Sequence, residues 1–179
     1  GISMMAMSVL VHLPFKLILA IGLVIFFGHN LLDGILVEGN SPKAFTWAVL
    51  HVSRRFDFGH PNINTHYPVL AWIGIMALGY VTGSLYKKEI SQAVRKKYLL
   101  VIGSSAILLF FFIRAINMYG DMSPWSVQDN PLFTIMSFLN TTKYPPSLLF
   151  SLMTLGPSLV FLALMEKPLG KWAQPFLHF

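Results

Sequence analysis

Cysteine is absent from this chain, and charge is scarce. Without cysteine there is no disulfide framework, no thiolate nucleophile and no cysteine-based metal site, and the redox compartment is left open. Charged residues fill 11% of the 179 positions, against about 25% in soluble globular domains. Acidic residues are the scarcer sign, with 7 Asp and Glu against 13 Lys and Arg, for a formal net charge of +6. A basic excess can mark a nucleic-acid binder. Here the basic residues cluster in short segments between apolar blocks, the placement expected of membrane topology, so nucleic acid is excluded as a partner. Also missing are a phosphate-binding glycine loop, a nucleophile elbow and a zinc motif. His51, His60 and His66 in "HVSRRFDFGHPNINTHYP" lack metal-ligand spacing, so no metal is expected.

What is present is apolar. Hydrophobic residues make up 55% of the chain, with 15 Phe and 9 Met, grouped in long blocks. A bilayer core needs about 20 apolar residues per helix. Four segments meet or approach that length: 14–32, 67–86, 97–118 and 145–165. Pro14 and Pro145 fall where a helix can begin without losing a hydrogen bond. Residues 1–12 are apolar but too short to span, and another apolar run starts at 172. The pattern predicts an all-α fold, a polytopic transmembrane helical bundle with about four full spans plus partial helices at both ends. Residues 1–179 then form a single transmembrane domain, expected to be a fragment of a larger membrane protein.

Loop charges give the direction. One face receives Lys16, Lys87, Lys88, Arg95, Lys96, Lys97, Lys167 and Lys171. The other receives Lys43, Arg54, Arg55 and Lys143, diluted by Asp33, Glu38, Asp57, Asp121 and Asp129. The positive-inside rule puts the first face in the cytoplasm. The long loops 33–66 and 119–144 then lie in the periplasm or a lumen, and a bacterial inner membrane is the expected location.

Several polar groups stand out against this background. Ser147, Ser151, Thr154 and Ser158 are spaced by four, three and four, one helix face. Asn140 and Lys143 extend that line if the turn continues it. Small hydroxylated faces also serve plain helix packing, and Lys143 can snorkel at the interface. Arg114 sits inside a span with Asn117 and Asp121 near the same face. An intramembrane arginine is a functional candidate, with snorkelling or pairing to Asp121 as the structural alternative. His29 and Asp33, at i and i+4, can pair as a base and its orienter, or simply close a helix. Gly156-Pro157 predicts a kink. Gly79 and Gly83 form a small-xxx-small pattern, read as packing.

Four stretches in order carry a resemblance: "FGHNLLDG" (27–34), "YPVLAWIGIMALGYVTG" (67–83), "RAINMYGDMSPW" (114–125) and "SFLNTTKYPPSLLFSLMTLGP" (137–157). Together they resemble bacterial members of the heparan-alpha-glucosaminide N-acetyltransferase-like membrane family, over most of the chain. The resemblance implies an integral membrane acyltransferase that moves acetyl from acetyl-CoA to an amino sugar or glycan across the membrane. It implies a catalytic histidine in an N-terminal half that this chain is expected to lack, and the spacing of His29 and Asp33 makes those two the candidates for a supporting role. Arg114, Asn117, Asp121, Asn140, Lys143, Tyr144 and Ser147 are the expected acceptor-binding residues. The cluster of Lys87, Lys88, Arg95, Lys96 and Lys97 could attract the phosphates of acetyl-CoA, or could serve topology and lipid headgroups alone. Membrane lipids are expected partners, and self-association stays open. A transporter or flippase-like carrier, and a non-catalytic membrane scaffold, are the alternative functions.

Overall fold

The computed structural model describes residues 1–57 and 62–166. His60, Lys167, Lys171 and the apolar run from 172 lie outside the described residues. The fold is mostly helical. In chain order it has α1 (Ile2–Leu10), α2 (Phe15–Gly28), α3 (Pro42–Leu50), β1 (Arg54–Phe56), β2 (Ile63–Thr65), α4 (Leu70–Gly83), α5 (Gln92–Ile116), α6 (Pro131–Leu139) and α7 (Leu148–Met165). Short 3₁₀ turns extend α2 over His29–Leu32 and α4 over Ser84–Tyr86.

Three helical segments are long and apolar enough to cross a membrane: Phe15–Leu32, Gln92–Ile116 and Leu148–Met165. The fourth apolar segment, Leu70–Tyr86, is shorter. The third span begins at Gln92, not 97. Ser91 caps it by accepting from the Val94 amide at 3.4 Å, so Arg95, Lys96 and Lys97 lie on helix and not in a loop. The last begins at Leu148, because Ser147 is its cap and accepts from the Phe150 amide at 3.0 Å. Pro145 therefore stands outside the helix, where the Tyr144–Pro145 peptide is cis. The two long loops are not structureless. The first holds α3 and a two-stranded antiparallel hairpin that pairs Arg55 with Asn64. This hairpin makes the fold less than purely α. The second loop holds α6.

Two antiparallel helix pairs build the bundle. α2 packs on α4, with Gly22 against Leu78 and Gly74 against Ile25 and Phe26. α5 packs on α7 through a glycine contact: a Cβ on Gly103 would sit 2.8 Å from the Gly156 carbonyl oxygen. Gly79 and Gly83 face open space instead, so the close approach between helices falls at other glycines than that pattern suggested. One core joins the pairs. Phe26, Phe110, Leu148, Leu149 and Leu152 are buried together, with Ile75 and Leu78 of α4 and Phe138 of α6 against them. A smaller cluster of Met7, Ile18 and Ala77 seats α1.

Antiparallel packing sorts the chemistry by end. Lys16, Lys87 and Arg95 share one end, where Arg95 donates to the Glu166 carboxylate at 2.5 and 2.7 Å. His29, Arg114 and Ser147 share the other.

Candidate functional site

The three polar motif segments meet at that second end. Gly28 closes α2 and the chain tightens into a 3₁₀ turn, which changes the register of the next residues. His29 and Asp33 therefore do not pair as the i, i+4 spacing suggested. His29 is buried, with Nδ1 3.0 Å from the Ile25 carbonyl and Nε2 3.0 Å from the carbonyl of Pro146. Asp33 instead bonds His51 Nε2 at 2.9 Å and accepts from Asn30 Nδ2 at 2.7 Å. His51, only 2% exposed, arrives at the end of α3. The two histidine rings lie 6.3 Å apart, edge to face. Asn30 turns its other side-chain atom to α7 and accepts from the Leu148 amide at 2.8 Å.

Arg114 is 1% exposed in the last turn of α5. Its guanidinium donates to the backbone carbonyls of Phe138, Ser123, Ser137 and Asn140 at 2.8, 2.9, 3.0 and 2.6 Å. Asn140 thus serves through its carbonyl. No ion pair joins Arg114 to Asp121 among the described residues. Asn117 ends the helix in the left-handed region at φ 58°, and so the helical face does not run on to Asp121. Its side-chain amide clamps Trp125, donating to the carbonyl at 2.9 Å and accepting from the amide at 3.0 Å.

Asp121 is an acceptor hub. It takes the Thr142 amide at 2.7 Å, the Thr142 hydroxyl at 2.8 Å, the Ser147 hydroxyl at 2.6 Å and the Ser123 amide at 2.8 Å. Tyr119 donates its hydroxyl to the Phe27 carbonyl. Burial, helped by Asp33, pushes that phenol above its ordinary range, which keeps it a donor.

These bonds leave few motif side chains open. Residues 140–146 are not helical, so Lys143 leaves the hydroxyl line of α7 and stands exposed. Its Nζ lies 5.1 Å from the centre of the Tyr144 ring. Tyr67 packs edge-on against Tyr144 at 5.0 Å, and the two rings are 65% and 42% exposed. Arg114 and Lys143 therefore do not share a cavity: one is enclosed by carbonyls, the other is on the surface. Two cavities lie elsewhere. One of about 210 Å³ is lined by Leu36, Val37, Trp47 and Arg54 among others, and one of about 370 Å³ sits at the basic end. Among the described residues no group of three or more His, Asp or Glu is placed to hold a metal.

Sequence reasoning took His51 for a plain loop histidine and overlooked Thr142 and Tyr67. His51 and Asp33 are 18 residues apart, and only the return of α3 joins them. No family model, curated protein or solved structure matches the chain.

Proposed function

We propose that this chain is part of a membrane-embedded acyltransferase that passes acetyl from acetyl-CoA to an amino sugar or glycan. One observation carries the reading. The segments 27–34, 114–125 and 137–148, distant in sequence and singled out by the resemblance, converge on one end of the bundle and bond to one another. Their buried members fix a rigid base. What that base presents is Lys143 over the Tyr144 ring with the exposed ring of Tyr67 against it, a cation and aromatic surface suited to a sugar ring. In this reading Arg114, Asn117, Asp121, Asn140 and Ser147 position the ledge, and Lys143 and Tyr144 touch the acceptor.

The reaction forms an amide N–C bond and breaks the thioester C–S bond, releasing coenzyme A as the thiol. The acceptor ammonium must first give up a proton. The Asp33–His51 pair, at the same end, supplies a base and its orienter. Lys88, Lys96 and Lys97 at the opposite end offer positive charge to the donor phosphates, while Arg95 is already engaged by Glu166. We place the chain in the inner membrane with four crossings, the shorter Leu70–Tyr86 segment being one of them. A tilt near zero or local thinning of the bilayer accommodates its length.

The test is transfer of radiolabelled acetyl from acetyl-CoA to amino sugars in membranes carrying the complete protein. Lys143→Ala and Tyr144→Ala should each lower turnover about tenfold or more while protein level holds. Full rate in both variants removes the ledge from the site. Solute movement across vesicles without any acetyl transfer replaces the enzyme with a carrier.

A further inference from the structure

The cavity at the basic end has no part in acceptor binding. It lies between the start of α2 and the end of α4, measures about 370 Å³, and is lined by Phe15, Tyr80, Gly83, Ser84 and Lys87. We propose that it seats the phosphate of an anionic glycerophospholipid, with one acyl chain running along α4.

The lining matches that ligand in three ways. Lys87 brings one ammonium and Ser84 one hydroxyl, enough donors for a single phosphodiester. The several phosphates of a nucleotide carrier would need more. Two acids lie at this end: Glu166, just after α7, is taken by Arg95, and Glu89, two residues from Lys87, forms no ion pair with it among the described residues. Phe15 and Tyr80 are 44% and 48% exposed, aromatic rings at the level where headgroup meets hydrocarbon. A Cβ on Gly83, in the cavity lining, or on Gly79, one turn further from Lys87, would meet nothing within 4 Å. The flank of α4 beside the cavity is thus bare at these two positions, which leaves room for an acyl chain to lie along it. Lys16, Lys88, Lys96 and Lys97 lie on the same end and favour an anionic over a zwitterionic lipid.

Native mass spectrometry of the purified protein in detergent tests this, with phosphatidylglycerol and phosphatidylcholine as probes. Phosphatidylglycerol should be retained preferentially. Lys87→Ala should weaken its retention about fivefold, the effect of one lysine near an anionic surface, and Lys97→Ala should change it less. Gly83→Leu fills this bare flank without touching charge and should weaken retention equally. Gly83 closes α4 with right-handed helical backbone angles and open surroundings, which allow a variant with a side chain there to fold, and a thermal melt checks it. Equal losses in Lys87→Ala and Lys97→Ala would mean a diffuse charge effect and no seat. Retention unaffected by Gly83→Leu, or displacement of the lipid by excess coenzyme A, would likewise overturn the proposal. Acetyl transfer is not read in this experiment, so it stands or falls apart from the acyltransferase reading.

Discussion

The Arg114 guanidinium donates to the carbonyl of Asn140 at 2.6 Å, 26 residues further along the chain. With its other acceptors at Phe138, Ser123 and Ser137, it pins the end of α6 and the 117–130 loop to α5. Every acceptor is a backbone carbonyl and the guanidinium that bonds them is itself buried, so the residue holds architecture. Arg114→Ala should leave several carbonyls unpaired and cost about 3 kcal/mol or more. Arg114→Lys should recover only part, because an ammonium cannot match a planar fork. Thermal unfolding in detergent reads both. An Arg114→Ala protein of full stability and no activity would instead return the residue to substrate contact.

Ser147, the cap of α7, and Ser151, in its first turn, have opposite roles. The Ser147 hydroxyl donates to Asp121 at 2.6 Å and caps the helix. The Ser151 hydroxyl is buried with no partner among the described residues. Ser147→Ala should destabilise by about 1–2 kcal/mol, as lost caps do. Ser151→Ala should be neutral or stabilising by up to about 1 kcal/mol, since it removes an unsatisfied buried hydroxyl. The same melt, run on both variants, shows whether the signs differ.

Glycine substitutions should separate the helix contact from the lipid-facing surface. A Cβ on Gly156 would sit 2.9 Å from Ile107 Cγ1 and 3.2 Å from the Gly103 carbonyl oxygen. Gly103 is tighter still, against backbone that cannot rotate away. Gly103→Ala should therefore cost about 1–3 kcal/mol through overpacking. Gly79→Ala meets open space and should stabilise α4 slightly. Equal effects from the two would mean that α5 and α7 can separate at no cost.

Three of the four expected spans were legible because hydropathy is what marks them, while the segment at Leu70–Tyr86 is shorter than hydropathy suggested. Their ends were less so: Arg95, Lys96 and Lys97 look like loop to a hydropathy reading, although the Ser91 cap shows the helix already under way. The helices inside the loops did carry a signal, Ser41-Pro42 before α3 and Asn130-Pro131 before α6, each a cap followed by proline at the first helical position. Reading 33–66 and 119–144 only as polar loops passed over it. The site was legible in residue type and not in partnership. Arg114 stood out as a charge in a span, but its partners are carbonyls, which every residue has and no sequence labels. Asp33 stood out too, yet local spacing named His29 for its partner, and the 3₁₀ turn gave the place to His51.

The charge asymmetry between ends predicts a topology that the missing cysteines make simple to check. Single cysteines at Glu89 and Gln128 lie between helices at opposite ends. In intact cells an impermeant maleimide should label position 128 and spare 89 until the membrane is opened. In the expected orientation the potential and anionic lipid hold the basic end inside. Labelling at 89 alone would mean an inverted bundle or a shorter α4 segment that does not cross, and labelling at both would mean that α5 does not cross.

The last prediction concerns pH at the basic end. Arg95 donates to both carboxylate oxygens of Glu166, and these hydrogen bonds hold Glu166 below its ordinary carboxylate range. Because the folded value is depressed, the tie is at full strength above the ordinary glutamate pKa. It fades as pH falls through the depressed value. The pair lies at the end of the bundle where water and salt reach it, so its contribution is small and screened by salt. Its loss should loosen the end of α7 without unfolding the α5–α7 pair, which the Gly103–Gly156 contact holds further along. Spin labels at Tyr98 and Leu162 should give a narrow distance distribution at neutral pH that broadens in acid. Glu166→Gln should show the broad distribution at every pH. A distribution equally narrow in acid and in Glu166→Gln would leave the glycine contact as the feature that orders this end of α7.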